Sequence, residues 1–322
     1  MKPVLHALAS LKLSLAGFAL LAAATFASYL LPTVPQGTIA APLALLALNL
    51  AAAMLARPAL RRGGLGLFHL ALLVLLLLAG WGRLFHFDAR VEVLQGGALD
   101  PAHVEVTGRG PLHGNAWRRI SFRQGGWQVD YAPGMRRAHT RSEVLLPGES
   151  LPRTVGDDTP LVIDGYRLYT THNKGFAPVI SWQPDAGPRV QGALHMPSYP
   201  LFDWKQENRW TAPGGEALGF WLRVVDAPTG ETAWTLDPRH VRTVLVVETG
   251  GVRHELSPGD ALRVGGATLR YERLAGWMGY RIFHDPTLLP MLFASVAGIL
   301  ALAWHLFGRG VRLLPLREGA AA

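Results

Sequence analysis

A histidine lies inside one of the most apolar stretches of this sequence. The stretch LGLFHLALLVLLLLAGWG covers residues 65–82, and His69 is its fifth residue. An ionisable side chain inside a membrane-spanning helix is costly and is by default a functional candidate. Imidazole is also a common ligand of haem iron and of transition metals, through a ring nitrogen. His69 is therefore the first candidate for an iron or metal ligand.

A second histidine lies at a comparable depth in another apolar run. His305, in LAWHLFGRG, is close to the end of residues 287–307. Arg57, Arg61 and Arg62 lie at the same level, and guanidinium groups suit the carboxylates of haem propionates. This pattern predicts haem bound by His69, with His305 as a candidate second axial ligand. The competing reading of His305 is a polar side chain at the membrane–water interface. A zinc site has less support, because the runs supply no thiolate or carboxylate ligands.

Two further histidines flank the opposite ends of the same runs. His86 follows the run in GRLFHFD, and His284 precedes the last run in RIFHDP. They are candidates for an outer haem site, and the alternative is two interfacial polar residues. The seven other histidines between these runs show no metal-ligand spacing such as H-x-H, so we expect them to be surface or structural residues.

The composition predicts a membrane protein with one large globular block. The chain is 49% hydrophobic and only 17% charged, and about 20 apolar residues cross a bilayer as a helix. The sequence predicts an N-terminal segment at 1–10, spans at about 11–31, 38–56 and 65–82, a block at 83–286, a fourth span at 287–307 and a tail at 308–322.

Charge sets the predicted orientation. Of the 31 Lys and Arg residues, 23 lie in the central block, together with 22 of the 23 acids, so the block is nearly neutral. The basic excess lies in the termini and in the loop from Arg57 to Arg62, the positive-inside pattern. We expect both termini to be cytoplasmic and the block to be periplasmic, in a bacterial inner membrane. Because the basic excess marks sidedness, we expect the bilayer, and not nucleic acid, as its partner.

The central block is predicted to be β structure. Short alternating runs rich in Val, Ile, Tyr and Trp are separated by Gly, Pro and Asp, as in an antiparallel, sandwich-like domain. A weak repeat, EVLLPGESL with VIDGYRLY and later HELSPGDAL with VGGATLRY, indicates two similar β units, or else hairpins that share turn residues. QGG, TGG and VGG are expected at hairpin turns. Without cysteine, the block has no disulfide and no covalent haem attachment motif.

The order of these features resembles the ResB-like (CcsB) cytochrome c biogenesis proteins of system II. The resemblance rests on LASLKLSLAGFALLAAATFASYLLPTVPQG, on NKGFAP in the β block, and on GYRIFHDPTLLPMLFASVAG before the last span. It implies haem transport to the outer face with a CcsA-type partner, and attachment to apocytochrome c. It also implies that His69 binds haem b as transported cargo, with the opposite ligand from the partner. That model competes with the pair formed by His69 and His305.

Two other functions remain open at the level of sequence. One is a membrane-anchored sensor or scaffold with an extracytoplasmic β domain. The other is a subunit of a membrane redox complex with a permanent b-type haem. No nucleophile–base arrangement or phosphate-binding loop stands out, so we do not expect an enzyme. In the family that the chain resembles, the tryptophan-rich haem-handling segment belongs to the CcsA-type partner, so the resemblance implies that any haem lyase activity would belong to the complex.

Overall fold

The computed structural model describes residues 2–31, 34–200, 205–225, 227 and 230–308. The chain divides into a helical unit (residues 1–88, 108–114 and 284–322) and a β unit (residues 89–107 and 115–283). Most of the predicted C-terminal tail, residues 309–322, lies outside the described residues. The helices are α1 (Lys2–Leu8), α2 (Leu11–Leu30), α3 (Ala40–Ala56), α4 (Gly63–Phe85) and α5 (Leu288–Phe307).

Four helical segments of the helical unit are long and apolar enough to cross a membrane: α2, residues 37–56 around α3, α4 and α5. Their bounds agree with the predicted spans to within three residues. A one-turn 3-10 helix precedes α3, and a second one, Pro58–Arg61, connects α3 to α4. Ser10 is the N-cap of α2, and its Oγ accepts a hydrogen bond from the Leu13 amide at 3.3 Å.

The spanning helices form a row. α2 packs against α3, α3 against α4, and α4 against α5, and helices two apart share no extensive contact among the described residues. Small residues mark the two contact sides of α4. Ala71 faces Gly298 of α5, where an added Cβ would lie 3.1 Å from the Ala71 Cβ, and Gly80 faces Leu43 of α3. At about 100° per residue, Ala71 and Gly80 lie on opposite sides of α4.

Asn49, inside the second span, joins three segments of the helical unit. Its Nδ2 donates hydrogen bonds to the carbonyl oxygens of Leu8 at 2.6 Å and Ser10 at 3.1 Å, and its Oδ1 accepts one from Ser14 Oγ at 2.7 Å. Both carbonyls lie at the break between α1 and α2, and the Ser10 carbonyl oxygen also accepts a hydrogen bond from the Ser14 amide at 3.3 Å. Asn49 therefore adds to the polar contacts that hold the two helices together at this break. The bond to α2 is of the kind expected for an Asn inside a span.

The β unit consists of antiparallel sheets with 15 described strands. A seven-stranded sheet has the order β2-β1-β15-β7-β6, with β14 added to β15 and β8 to β7; four-stranded sheets have the orders β13-β12-β10-β9 and β11-β3-β4-β5. The strands are β1 (Phe87–Leu94), β2 (Glu105–Arg109), β3 (Arg123–Ala132), β4 (Arg136–Leu145), β5 (Arg153–Gly156), β6 (Leu161–Ile163), β7 (Tyr166–Pro184), β8 (Val190–Ala193), β9 (Glu207–Thr211), β10 (Ala217–Val224), β11 (Trp234–Leu236), β12 (Thr243–Thr249), β13 (Val252–Leu256), β14 (Ala261–Val264) and β15 (Ala267–His284).

The two copies of the sequence repeat form equivalent hairpins, β6–β7 and β14–β15. β7 and β15 are unusually long strands and pair antiparallel with each other. KGF in one copy lies opposite AGW in the other, with Phe176 beside Gly276 and Gly175 beside Trp277. The paired segments enter a core in which Phe176, Ala275 and Trp277 are almost completely buried.

The Gly-Gly turns were predicted with mixed success. TGG forms the β12–β13 hairpin, with positive φ at Gly250 and Gly251, and VGG forms the β14–β15 hairpin. QGG occurs twice, and the copy at 95–97 also lies in a turn, with positive φ at Gly96 and a hydrogen bond from the Gly97 amide to the Leu94 carbonyl oxygen at 2.8 Å. The copy at 124–126 lies instead within β3, where the pairing with β4 shifts register. The prediction of a turn there was wrong, because the flanking residues continue a strand and the glycines form a bulge.

Candidate functional site

His69 is half-buried on α4, nearly two turns from the helix start at Gly63. Its Nδ1 lies 2.8 Å from the carbonyl oxygen of Leu65, and its ring contacts Phe68 edge to face at 5.7 Å between centroids. A carbonyl oxygen only accepts hydrogen bonds, so the proton of the neutral ring lies on Nδ1. Nε2 therefore carries the lone pair. A backbone carbonyl that fixes the tautomer in this way is the usual support of a metal-binding imidazole.

His305 lies on the side of α5 that packs against α4. A Cβ added at Gly64 would lie 2.6 Å from the Ala301 carbonyl oxygen and 2.7 Å from the His305 amide nitrogen. His69 is two residues before Ala71, which faces α5, so it points about 160° away from that contact. The structure does not bring His69 and His305 together. His69 lies on the α3 side of α4.

The arginines lie at the end of α4 that carries His69. Arg57 is the C-cap of α3, Arg61 ends the connecting 3-10 helix, and Arg62 is the N-cap of α4; all three are exposed. Gly66 lacks a Cβ where one would overlap the backbone of Arg61, so the connector folds directly onto α4. His69 follows Arg62 by seven residues, which is about 10 Å along the helix.

Three histidine rings gather at the opposite end of α4. His86 is the C-cap of α4 and is 8% exposed, and His113 is 6% exposed. The centroids of the His113 and His284 rings are 5.3 Å apart. Burial is the largest of the effects that lower the pKa of His86 and of His113. His86 also lies close enough to His113 that a positive charge on it would lower the pKa of His113. The structure thus groups the predicted residues His86 and His284 with a third ring.

His113 is the residue that the sequence did not single out. It was expected among seven surface or structural histidines, and no spacing marked it. It joins the cluster because residues 108–114 leave the β unit and pack onto the end of α4. The packing of residues 108–114 onto α4 depends on tertiary structure, so the local sequence carried no signal for it.

The NKGFAP segment contains a buried lysine in the β unit. Lys174 is 2% exposed, its Nζ donates a hydrogen bond to the His172 carbonyl oxygen at 3.2 Å, and Nζ lies 5.5 Å from the Tyr131 ring centroid. The nearby carboxylate of Asp157 is paired with Arg137 at 2.6 Å. Burial lowers the pKa of Lys174 to about 8.

Within the part of the chain that the structure describes, no group of three or more His, Asp or Glu side chains is arranged to hold a metal ion. Comparison with family models and with curated proteins gave no match.

Proposed function

We propose that this chain is a membrane subunit of a cytochrome c assembly complex, which takes part in haem transfer to the outer face and its attachment to apocytochrome c. It acts with a CcsA-type membrane partner, and haem b is its cargo. The observation that carries the proposal is His69, an imidazole inside an apolar helix whose Nδ1 proton is committed to the Leu65 carbonyl. That arrangement leaves Nε2 as the nitrogen able to bind iron.

The donor set favours a porphyrin over a free metal ion. A structural or catalytic zinc site takes three or four protein ligands, and the described residues contain no such group. Iron in haem already has four porphyrin nitrogens and needs only axial ligands from protein. A single supported imidazole in an apolar setting fits that requirement. The exposed Arg57, Arg61 and Arg62, about one to two turns away, are suited to the propionates.

The second axial ligand is assigned to the partner. His305 packs against Gly64 on the α5 side of α4, and His69 lies on the α3 side. Moving both rings onto one iron would require a rotation of α4 against helices that contact it on both sides. The row of helices leaves broad sides open, on which another membrane protein can complete the site.

The proposal places the arginine connector and both chain termini in the cytoplasm and the β unit in the periplasm of a bacterial inner membrane. Because the chain has no cysteine, single cysteines report sidedness without background. We expect a membrane-impermeant thiol reagent to label Thr154→Cys in intact spheroplasts and to label Ala59→Cys only after lysis. The reverse pattern would contradict the orientation.

The central experiment measures haem that co-purifies with the chain and its partner. We expect His69→Ala to lower the haem per complex at least about tenfold, because loss of ligand support alone costs 10- to 100-fold in affinity. His305→Ala is the matched control at similar depth and should retain haem. Equal loss in both variants would favour the two-histidine model, and unchanged haem in His69→Ala would refute the site.

The same preparation separates the alternative functions. A sensor or scaffold would show no Soret absorption at any stage. A permanent b-type subunit would hold haem, yet its deletion would leave unrelated c-type cytochromes intact. We expect deletion of this chain to abolish covalent haem in those cytochromes, as seen by haem staining of gels.

A further inference from the structure

α4 carries a second histidine at its other end, and that ring is held in the same way as His69. The Nδ1 of His86 lies 3.1 Å from the Arg83 carbonyl oxygen, so the proton lies on Nδ1 and the lone pair on Nε2. Nε2 is buried and has no hydrogen-bond partner among the described residues. A buried polar atom left without a hydrogen-bond partner destabilises the fold, and such an atom calls for an explanation.

A short loop covers this end of the helix. The Gly110 amide donates a hydrogen bond to the His86 carbonyl oxygen and the Leu112 amide donates one to the Leu84 carbonyl oxygen, each at 2.9 Å. The Nδ1 of His113 donates to the Phe85 carbonyl oxygen at 2.7 Å. Residues 110–113, called here the cap loop, therefore satisfy three consecutive carbonyls at the end of α4.

The cap loop fits closely onto the helix. A Cβ at Gly110 would overlap the carbonyl group of Leu84, and a Cβ at Gly37 would lie 2.8 Å from Pro111. The His113 ring stacks on Phe87 with centroids 4.9 Å apart. The loop thus holds a defined position through hydrogen bonds, one obligatory glycine and a ring stack.

We propose that His86 is an axial ligand for iron porphyrin at the outer end of α4, reached when the cap loop lifts. This inference rests on the proposed function, since it gives the same cargo a second ligand. His69 and His86 are 17 residues apart, which is about 25 Å along the helix axis. One helix therefore carries a histidine ring held by a backbone carbonyl near each of its ends. Each ring has its Nδ1 against a carbonyl oxygen and its Nε2 available for iron, so transfer exchanges one imidazole ligand for another, without a redox step.

The surroundings of His86 favour iron porphyrin over a free ion. His86, His113 and His284 do not form a three-ligand metal site. The Nδ1 proton of His113 is already used to hold the cap loop, which gives this residue a positioning role. One unpartnered imidazole nitrogen suits an iron that brings four nitrogens of its own.

The test is haemin titration of the full-length chain in lipid nanodiscs, followed by Soret absorption. We expect two binding events in the parent protein, one in His69→Ala, one in His86→Ala and none in the double variant. In the His69→Ala background, Gly110→Ala should speed haemin association about tenfold, because its Cβ would overlap the Leu84 carbonyl group and displace hydrogen bonds that hold the cap loop on α4.

A rescue experiment separates ligation from a structural role. In the His69→Ala background, His86→Gly should lose haemin binding and recover it when free imidazole is added, which a packing defect would not do. His103→Ala, at an exposed histidine of the β unit, is the matched control and should change nothing.

The outcomes are distinguishable. If His69→Ala and the double variant bind equal haemin, the outer ligand is refuted and the proposed function stands on His69. If His69→Ala binds as much as the parent, the proposed function fails by itself. Equal haemin in all variants means partition into lipid only and overturns both.

Discussion

Lys174 gives the β unit a pH dependence that can be calculated. Its Nζ is buried beside the Tyr131 ring and makes a hydrogen bond to the His172 carbonyl oxygen. Burial lowers the pKa of this lysine from 10.5 to about 8. The folded state therefore disfavours the ammonium form that the unfolded chain tolerates.

The sign and size follow from proton linkage. Between pH 8 and pH 10.5 the unfolded chain holds more of this proton than the folded chain, so the free energy of unfolding rises with pH. With one pKa unit worth about 1.4 kcal/mol, Lys174 alone contributes a rise of about 2.5 kcal/mol between pH 7 and pH 10. Below pH 7 its contribution is constant, because the lysine is charged in both states.

The assay compares the parent with Lys174→Met, which keeps an unbranched side chain of similar length. Urea unfolding of the full chain in detergent is followed by tryptophan fluorescence, since eight of the ten tryptophans lie between residues 117 and 277. From pH 7 to pH 10, the free energy of unfolding of the parent should rise by about 2.5 kcal/mol more than that of the variant. Tyrosine titration is common to both proteins and cancels.

Lys205→Met is the matched control, because Lys205 is exposed, and its difference from the parent should stay constant with pH. A constant difference for Lys174→Met as well would show that the buried ammonium does not destabilise the fold, and the reasoning would fail.

Three further substitutions test the packing. Asn49→Ala should lower the stability of the helical unit by about 0.5–2 kcal/mol in detergent unfolding; no change would mean that its hydrogen bonds have equal substitutes. Gly64→Val should push α5 from α4, since its Cβ would lie 2.6 Å from an α5 carbonyl oxygen, and should weaken cross-linking between cysteines engineered in the two helices. Tyr280→Phe should cost the β unit about 1–3 kcal/mol, because the Tyr280 hydroxyl donates to the buried Gln124 amide oxygen at 2.6 Å; Tyr169→Phe, at a less buried ring, should cost less.

Helix positions were predictable from the sequence to within three residues because length and hydrophobicity decide them. α4 extends from Gly63 to Phe85, past the predicted residues 65–82, since the glycines at its start and Arg83 near its end do not stop the helix, and the cap loop satisfies the carbonyls at its C-terminal end. The hydrogen bonds of Asn49 were also foreseeable, because a polar side chain inside an apolar helix needs a partner.

Contacts between segments that are distant in the sequence could not be predicted from it. The burial of Lys174 contradicts the ordinary expectation for a lysine, and His113 joins His284 only through the cap loop. The side of α4 on which His69 lies also required the positions of Ala71 and Gly80, because hydrophobic residues occupy every side of this helix. These features depend on which surfaces meet, and the pattern of residue types along one segment does not encode that.

A row of helices has a consequence that a closed bundle lacks. A closed bundle shields a bound molecule on all sides with its own side chains, whereas a single layer shields it on one side only. A flat, apolar cargo held at α4 would have its other side against lipid or against another polypeptide. Its residence time on this chain should then depend on the surrounding bilayer and on subunit association, and detergent extraction alone should shorten it.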